Sequence, residues 1–251
     1  MPGGTEALLG VFWAMAYELY YWTGIQGRGE YVRLVLEAAG VPYRDVAREE
    51  GDGVIARVSK EAATPSFAPP FLRDGDLMVG QVAAILLYLG DKLDLAPKEP
   101  HQRLWTHQIQ LTIADFILEG HDVHHPIGAG EYYENQKPES LRRAREFREE
   151  RVPKFLDWFE GILARNPEGP AHLVGNRLSY ADLSLFQVMD GLTYAFPKLM
   201  AGVEQRYPEI TALCRSVSQH PKIAAYLASD RRLPSNESDL FRHYPELDGR
   251  P

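Results

Sequence analysis

Residues 69–90 combine a predicted hairpin with a helix start that could bind a carboxylate. Asp74-Gly75 lies between two short apolar runs, which is the pattern of a tight β-hairpin turn. After Gln81, the apolar run 82–90 predicts a helix that ends at a glycine. The first turn of a helix has backbone N–H groups without intrahelical partners, so we expect an anion site beginning at Val82.

Two consecutive prolines precede the hairpin. A proline cannot donate to a strand ladder, so Pro70 must begin a strand or lie at its edge. The tertiary amide makes a cis bond accessible before Pro70. Pro69 has no N–H and can offer a ligand only its carbonyl oxygen.

Two further side-chain groups could do chemistry. His121 and His125 are four residues apart, a spacing that can hold a metal on one helix face. Pro126 follows directly, so we expect the helix to end there and predict no metal site. Cys214, the single cysteine, lies in an apolar helical pattern and is expected to be a packing residue.

The order of predicted elements divides the chain into two parts. An order β-α-β-α-β-β-α precedes a proline-containing linker, and no convincing strand follows it. In the second part, Ser179 followed by Asp182 is a capping-box pattern at a helix start. The predicted segments are an extension 1–16, an α/β domain 17–93, a linker 94–100, an all-α domain 101–234 and an irregular tail 235–251.

Composition excludes several classes of function. The 251 residues carry a net charge of −8, which argues against nucleic acid or an anionic membrane as a partner. One cysteine excludes an internal disulfide framework and favours a reducing cytoplasm. The apolar stretch 8–16 is too short to span a bilayer, and no lysine or arginine precedes it.

This combination of patterns resembles the soluble glutathione S-transferase family. The markers are Tyr21-Trp22 at the end of the first strand, the Pro70 hairpin and the 179–182 capping box. The resemblance is to the tyrosine-using mu, pi and sigma group, in a bacterial or fungal-like member. It implies a thioredoxin-like domain followed by a helical domain, a homodimer, and glutathione as co-substrate with no further cofactor.

The resemblance also implies roles for individual residues. Tyr21 would donate its hydroxyl to the glutathione thiol, and because the following loop is one residue longer than expected, Tyr20 and Thr23 remain alternatives. Val82 stands where the family has serine or threonine, which removes one hydroxyl from the γ-glutamyl carboxylate. The implied glutathione-binding residues are Arg28, Pro69, Pro70, Gln81, Val82 and Asp115, and the implied electrophile cleft contains Trp22, His121 and His125.

Three functions fit these residues. The leading expectation is an enzyme that conjugates glutathione to small hydrophobic electrophiles. Pro69 and Val82 favour the alternative, a non-catalytic or weakly active protein of the same fold that binds or interacts. A glutathione-dependent isomerase or peroxidase on this scaffold is the third.

Overall fold

A four-stranded sheet with flanking helices forms the first part of the computed structural model, which describes residues 17–249. The strand order is β2-β1-β3-β4, with β1 parallel to β2 and antiparallel to β3, and β3 antiparallel to β4. The predicted extension 1–16 lies outside the described residues. The strands are β1 (Tyr17–Tyr20), β2 (Tyr43–Asp45), β3 (Phe71–Asp74) and β4 (Leu77–Gly80).

Four helices accompany this sheet. The sequence predicts a strand over 41–47, and this is wrong at both ends, because the strand covers only Tyr43–Asp45. Val46 and Ala47 begin a short helix instead, and both are buried in a cluster with Tyr20. Packing against that cluster overrides the β-propensity of valine. The helices are α1 (Gly29–Ala39), α2 (Val46–Glu50), α3 (Gly53–Glu61) and α4 (Val82–Lys92).

The second part is helical throughout its regular structure. The helices are α5 (Pro100–His121), α6 (Lys137–Glu146), α7 (Val152–Arg165), α8 (Tyr180–Ala195), α9 (Pro197–Met200), α10 (Val203–Arg206), α11 (Pro208–Gln219) and α12 (Pro221–Leu227), with a 3₁₀ turn at Tyr133–Gln136. Among the described residues, no helix combines the length and the apolar character that crossing a membrane requires.

The apolar periodicity predicts one charged amphipathic helix over roughly 139–165, and in the structure this helix is interrupted. Phe147–Arg151 forms a π-helical turn between α6 and α7. Pro153 lies in the first turn of α7, where it has no N–H to donate to the preceding turn. A π turn widens the helix at this point and accommodates the missing bond.

Helix α8 is the centre of the helical part and packs against α1, α5 and α11. Its capping box is formed as predicted, since Asp182 Oδ2 accepts hydrogen bonds from the Ser179 N–H (2.8 Å) and hydroxyl (2.9 Å). The other oxygen of Asp182 accepts the Leu173 N–H at 2.8 Å. One buried carboxylate therefore fixes both the helix start and the preceding loop.

The segment after α12 has no helix or strand within residues 228–249, yet it packs closely on the molecule. Leu240, Phe241 and Leu247 are buried. Phe241 fills the space left by two glycines, because a Cβ at Gly191 would overlap its ring and one at Gly120 would lie 3.0 Å from it. The C-terminal tail therefore packs across the surface of the helical part.

Candidate glutathione site

A cavity of about 560 Å³ lies between the hairpin, the start of α4 and the middle of α5. One side of the cavity comes from the first part, through the hairpin and α4, and the other side comes from α5 of the second part. The lining residues include Arg28, Pro69, Pro70, Gln81, Val82 and Gln110. The structure therefore brings five of the six predicted glutathione-binding residues to one cavity.

The two prolines form the floor of the cavity beside β3. The Pro69–Pro70 peptide bond is cis, and Pro70 is buried directly before the first residue of the strand. Because Pro69 lacks an N–H, only its carbonyl oxygen can bond a peptide ligand at this point.

Gln81 holds an unusual backbone conformation at the start of α4. Its φ is +63°, in the left-handed region that residues other than glycine rarely adopt. Its carbonyl oxygen accepts the Ile85 N–H at 2.9 Å, so the helix begins directly after it. The N–H groups of the first turn, from Val82 onward, lie along the cavity wall, where they can bind a carboxylate.

Tyr21 follows β1 and is 4% exposed. Its hydroxyl oxygen accepts the Arg28 N–H at 2.9 Å, which leaves the hydroxyl proton free to be donated. Burial raises the pKa of Tyr21, and the Arg28 N–H opposes that shift. The phenol is therefore neutral near pH 7, but it lies behind Arg28 and is not itself among the residues that line the cavity.

The loop that carries Arg28 is held from the far end of the chain. Asp239 accepts the Gln26 N–H at 3.0 Å and the Gly27 N–H at 2.8 Å. Gly27 has a φ of +47°, and a Cβ there would overlap the Tyr21 hydroxyl. Glycine at this position lets the loop backbone lie directly on the phenol.

The other two hydroxyl candidates have different surroundings. The Tyr20 hydroxyl donates to Glu18 at 2.9 Å. Its ring stacks on Phe71, its partner residue in the neighbouring strand β3. Thr23 is anchored through its backbone N–H, which donates to Asp52 at 3.0 Å. Of the three, Tyr21 is the one bonded to a residue that lines the cavity.

The predicted electrophile cleft does not form one cavity in the structure. Trp22 lines a separate cavity of about 260 Å³ on the other side of Pro69. His121 and His125 pack instead against His124, with ring centroids 4.7–5.1 Å apart, under the C-terminal tail. Burial lowers the pKa of all three imidazoles, that of His124 to about 3. Strand alternation and helix spacing could not reveal this separation, which depends on how the tail packs.

Asp115 lies on the exposed side of α5 and is in no ion pair within residues 17–249. Two neighbours on the same helix line the cavity and were missed by sequence reasoning. Gln110 is 0% exposed, and neither of its amide atoms has a partner among the described residues. His107 likewise has an unpartnered Nδ1, and burial lowers its pKa. The signal available in the sequence was a polar residue, Gln110, on the otherwise apolar face of α5.

Cys214 is partly buried, and desolvation raises its thiol pKa to about 12, so it is not a nucleophile near pH 7. Within the part of the chain that the structure describes, no three histidine, cysteine or carboxylate side chains are grouped as metal ligands.

Comparison with known proteins gives a consistent result. Residues 121–230 match the family described as "Glutathione S-transferase, C-terminal domain". Glutathione S-transferase alpha-3 of Rattus norvegicus is 30% identical over 210 residues, covering 83% of this chain and 87% of that protein. Glutathione S-transferase P 1 of Xenopus laevis is 28% identical over 219 residues, covering 86% and 93%.

Solved structures show the same fold. The prostaglandin synthase D of Nilaparvata lugens has a TM-score of 0.67 at 23% identity, covering 87% of this chain and 100% of that one. The Pi-class glutathione S-transferase of Onchocerca volvulus has a TM-score of 0.65 at 22% identity, covering 85% and 92%. These relatives come from animals, so a bacterial or fungal origin stays a prediction. On the strength of the sequence relatives, the chain belongs to the glutathione S-transferase family.

Proposed function

We propose that this protein conjugates the glutathione thiolate to small hydrophobic electrophiles. The observation that carries the proposal is one cavity lined together by Pro69, Pro70, the start of α4 and Arg28. The Arg28 backbone N–H is bonded to the Tyr21 hydroxyl, so the cavity leads to a phenol that can donate a proton.

Glutathione would lie along this cavity in an extended conformation. Its γ-glutamyl carboxylate would bind the N–H groups of the first turn of α4, with Gln81 beside it. The Pro69 carbonyl would accept a hydrogen bond from the cysteinyl N–H. These contacts direct the sulfur toward Arg28 and Tyr21.

The chemistry is stabilisation of a thiolate. A free thiol has a pKa of about 8.5, so only a few per cent is ionised at pH 7. A neutral phenol that donates to sulfur favours the anion, and each unit of depression in the thiol pKa is worth about 1.4 kcal/mol. The thiolate then attacks the electrophilic carbon, and the leaving group departs with the displaced electron pair.

Replacing Tyr21 tests the proposal. Tyr21→Phe should lower kcat/KM for 1-chloro-2,4-dinitrobenzene at pH 6.5 by about tenfold, which is about 1.4 kcal/mol of transition-state stabilisation. The thiol pKa, followed by ultraviolet absorption of the bound thiolate, should rise in the same variant. Tyr20→Phe is the matched control, because that hydroxyl is bonded to Glu18. Equal activity in wild type and Tyr21→Phe would contradict the role of Tyr21.

A non-catalytic binding protein is the second candidate. It is favoured by the burial of Tyr21 behind Arg28, together with the absent N–H of Pro69 and the absent hydroxyl at Val82. A lost hydrogen bond to a charged group costs about 1.5–3 kcal/mol in affinity. Calorimetric titration with glutathione that shows millimolar binding, with no conjugation of any electrophile, would select this candidate.

We also propose a cytoplasmic homodimer that binds neither nucleic acid nor membranes. Large apolar side chains lie exposed at the cavity: Leu87 at 37% and Leu111 at 49% line it, and Phe67 at 97% precedes the lining residue Ala68. A second copy of the chain would cover them. Light scattering should give twice the 28.4 kDa of one chain, and Phe67→Ser should shift the mass toward the monomer. A wild-type mass of one chain would contradict the dimer.

A further inference from the structure

A further cavity shares no lining residue with the glutathione cleft and is lined by three arginines. It measures about 570 Å³ and lies between α6, the π turn and the C-terminal tail. Its lining residues are Leu141, Arg142, Arg145, Arg148, Glu246 and Gly249. Small-molecule sites typically occupy about 300–1,000 Å³, so the space is sufficient for a ligand of nucleotide size.

These three arginines differ from their neighbours in having no acidic partner among the described residues. Within residues 17–249, Arg142, Arg145 and Arg148 form no ion pair, whereas Arg143 and Arg151 both bind Glu119. The protein carries a net charge of −8, so its surface is not basic in general. These three arginines are a local exception. Positive charge is therefore concentrated at this cavity.

The acidic residue in the cavity wall is already engaged elsewhere. Glu246 accepts a hydrogen bond from the Tyr133 hydroxyl at 3.0 Å and lies 3.5 Å from Lys137 Nζ. A hydrogen bond from its own backbone N–H, together with Tyr133 and Lys137, holds the pKa of Glu246 below the usual range. Three arginines thus line the cavity, and none of them is paired with a carboxylate of residues 17–249.

Local backbone geometry holds Arg148 in place. The Arg148 Nε donates to the Ala144 carbonyl at 3.2 Å, which fixes the plane of its guanidinium. Gly249 has a φ of +83°, and a Cβ at that position would overlap Arg148, so glycine lets the tail pass closely. Arg148 also belongs to the π turn, a feature that often occurs at functional sites.

We propose that this cavity binds the polyphosphate group of a small molecule. Guanidinium groups bind phosphate oxygens in pairs of hydrogen bonds, and arginine is the preferred side chain for this purpose. A rise of 1.5 Å per residue separates the first and last arginine by about 9 Å along the axis, which one phosphate cannot span. A chain of two or three phosphates reaches all three.

Calorimetric titration of the full-length protein tests the proposal with inorganic phosphate, inorganic tripolyphosphate and ATP, at low ionic strength and without divalent cations. Tripolyphosphate should bind at least tenfold more tightly than phosphate. If ATP and tripolyphosphate bind with comparable affinity, the site recognises the phosphates alone. If ATP binds more tightly, the site also contacts the nucleoside. Both results support the site.

The double variant Arg142→Gln/Arg145→Gln locates the binding. Both side chains are exposed, so the variant should fold and retain wild-type glutathione conjugation, while tripolyphosphate affinity falls at least tenfold. The matched control is Arg165→Gln, an exposed arginine at the end of α7 outside this cavity. Absence of tripolyphosphate binding to the wild type, or equal affinity in the double variant, would overturn the proposal.

Discussion

His124 is a buried base whose environment excludes the charged form. It is 1% exposed, and its Nε2 lies 2.9 Å from the Leu240 carbonyl, which assigns the proton to that nitrogen. Burial is the main cause of the lowered pKa, and the charges of Arg242, His121 and His125 add to it. The neutral ring connects the end of α5 to the tail.

This burial makes stability depend on pH. Between pH 6.5 and about 3, the unfolded chain binds a proton at His124 and the folded chain does not. The free energy of unfolding should therefore fall on acidification, by up to about 1.4 kcal/mol per pH unit from this group. Urea unfolding from pH 7 to 4.5 measures the slope.

His124→Gln is expected to reduce that slope, since its amide can still donate to Leu240 without titrating. His101→Gln, at an exposed position, serves as the control and should leave the slope unchanged. A His124→Gln slope equal to that of the wild type would assign the acid sensitivity to other groups.

Among the elements, α8 depends on its first turn. Asp182 is 0% exposed and satisfies the N–H groups of Ser179 and Leu173 with one oxygen each. Removing the carboxylate would leave two buried donors without acceptors. Each such donor costs about 1–3 kcal/mol.

Asp182→Ala should therefore destabilise the protein by about 3 kcal/mol or more. Ser179→Ala, which removes only the capping hydroxyl, should cost about 1 kcal/mol. Chemical unfolding curves of the two variants measure the difference. Similar costs for both substitutions would mean that Leu173 finds another acceptor.

In the whole molecule, a buried ionic network joins the two parts of the chain. Glu30 in α1 is 0% exposed and binds Arg33 at 3.2 Å, Arg232 at 2.6 Å and the Tyr226 hydroxyl at 2.7 Å. Arg33 also binds Asp45. One carboxylate thus connects the sheet domain to the last helix and the tail.

Glu30→Leu should destabilise the fold by about 3–5 kcal/mol, because it leaves buried guanidinium groups partly unpaired. The double variant Glu30→Leu/Arg232→Leu should recover part of that loss, since it also removes one of the uncompensated charges. Thermal unfolding of both variants provides the comparison. Strictly additive losses would contradict a direct coupling between the two residues.

Local patterns predicted much of this architecture. The Asp74-Gly75 hairpin, the helix start after Gln81 and the 179–182 capping box each depend on residues a few positions apart. The sequence does not predict the π turn, because the helical spacing of apolar residues continues across it. The separation of Trp22 from the histidines escaped because it results from tertiary packing rather than spacing.

The contact of Asp239 with Gln26 and Gly27 spans more than two hundred positions, which no local pattern encodes. During synthesis on the ribosome, a nascent chain that has emerged as far as α12 already possesses every wall of the glutathione cavity. It still lacks the carboxylate that fixes the loop beside the phenol. Catalytic competence should accordingly arise only once Asp239 has left the ribosome, so premature termination after α12 would yield a poorly active product.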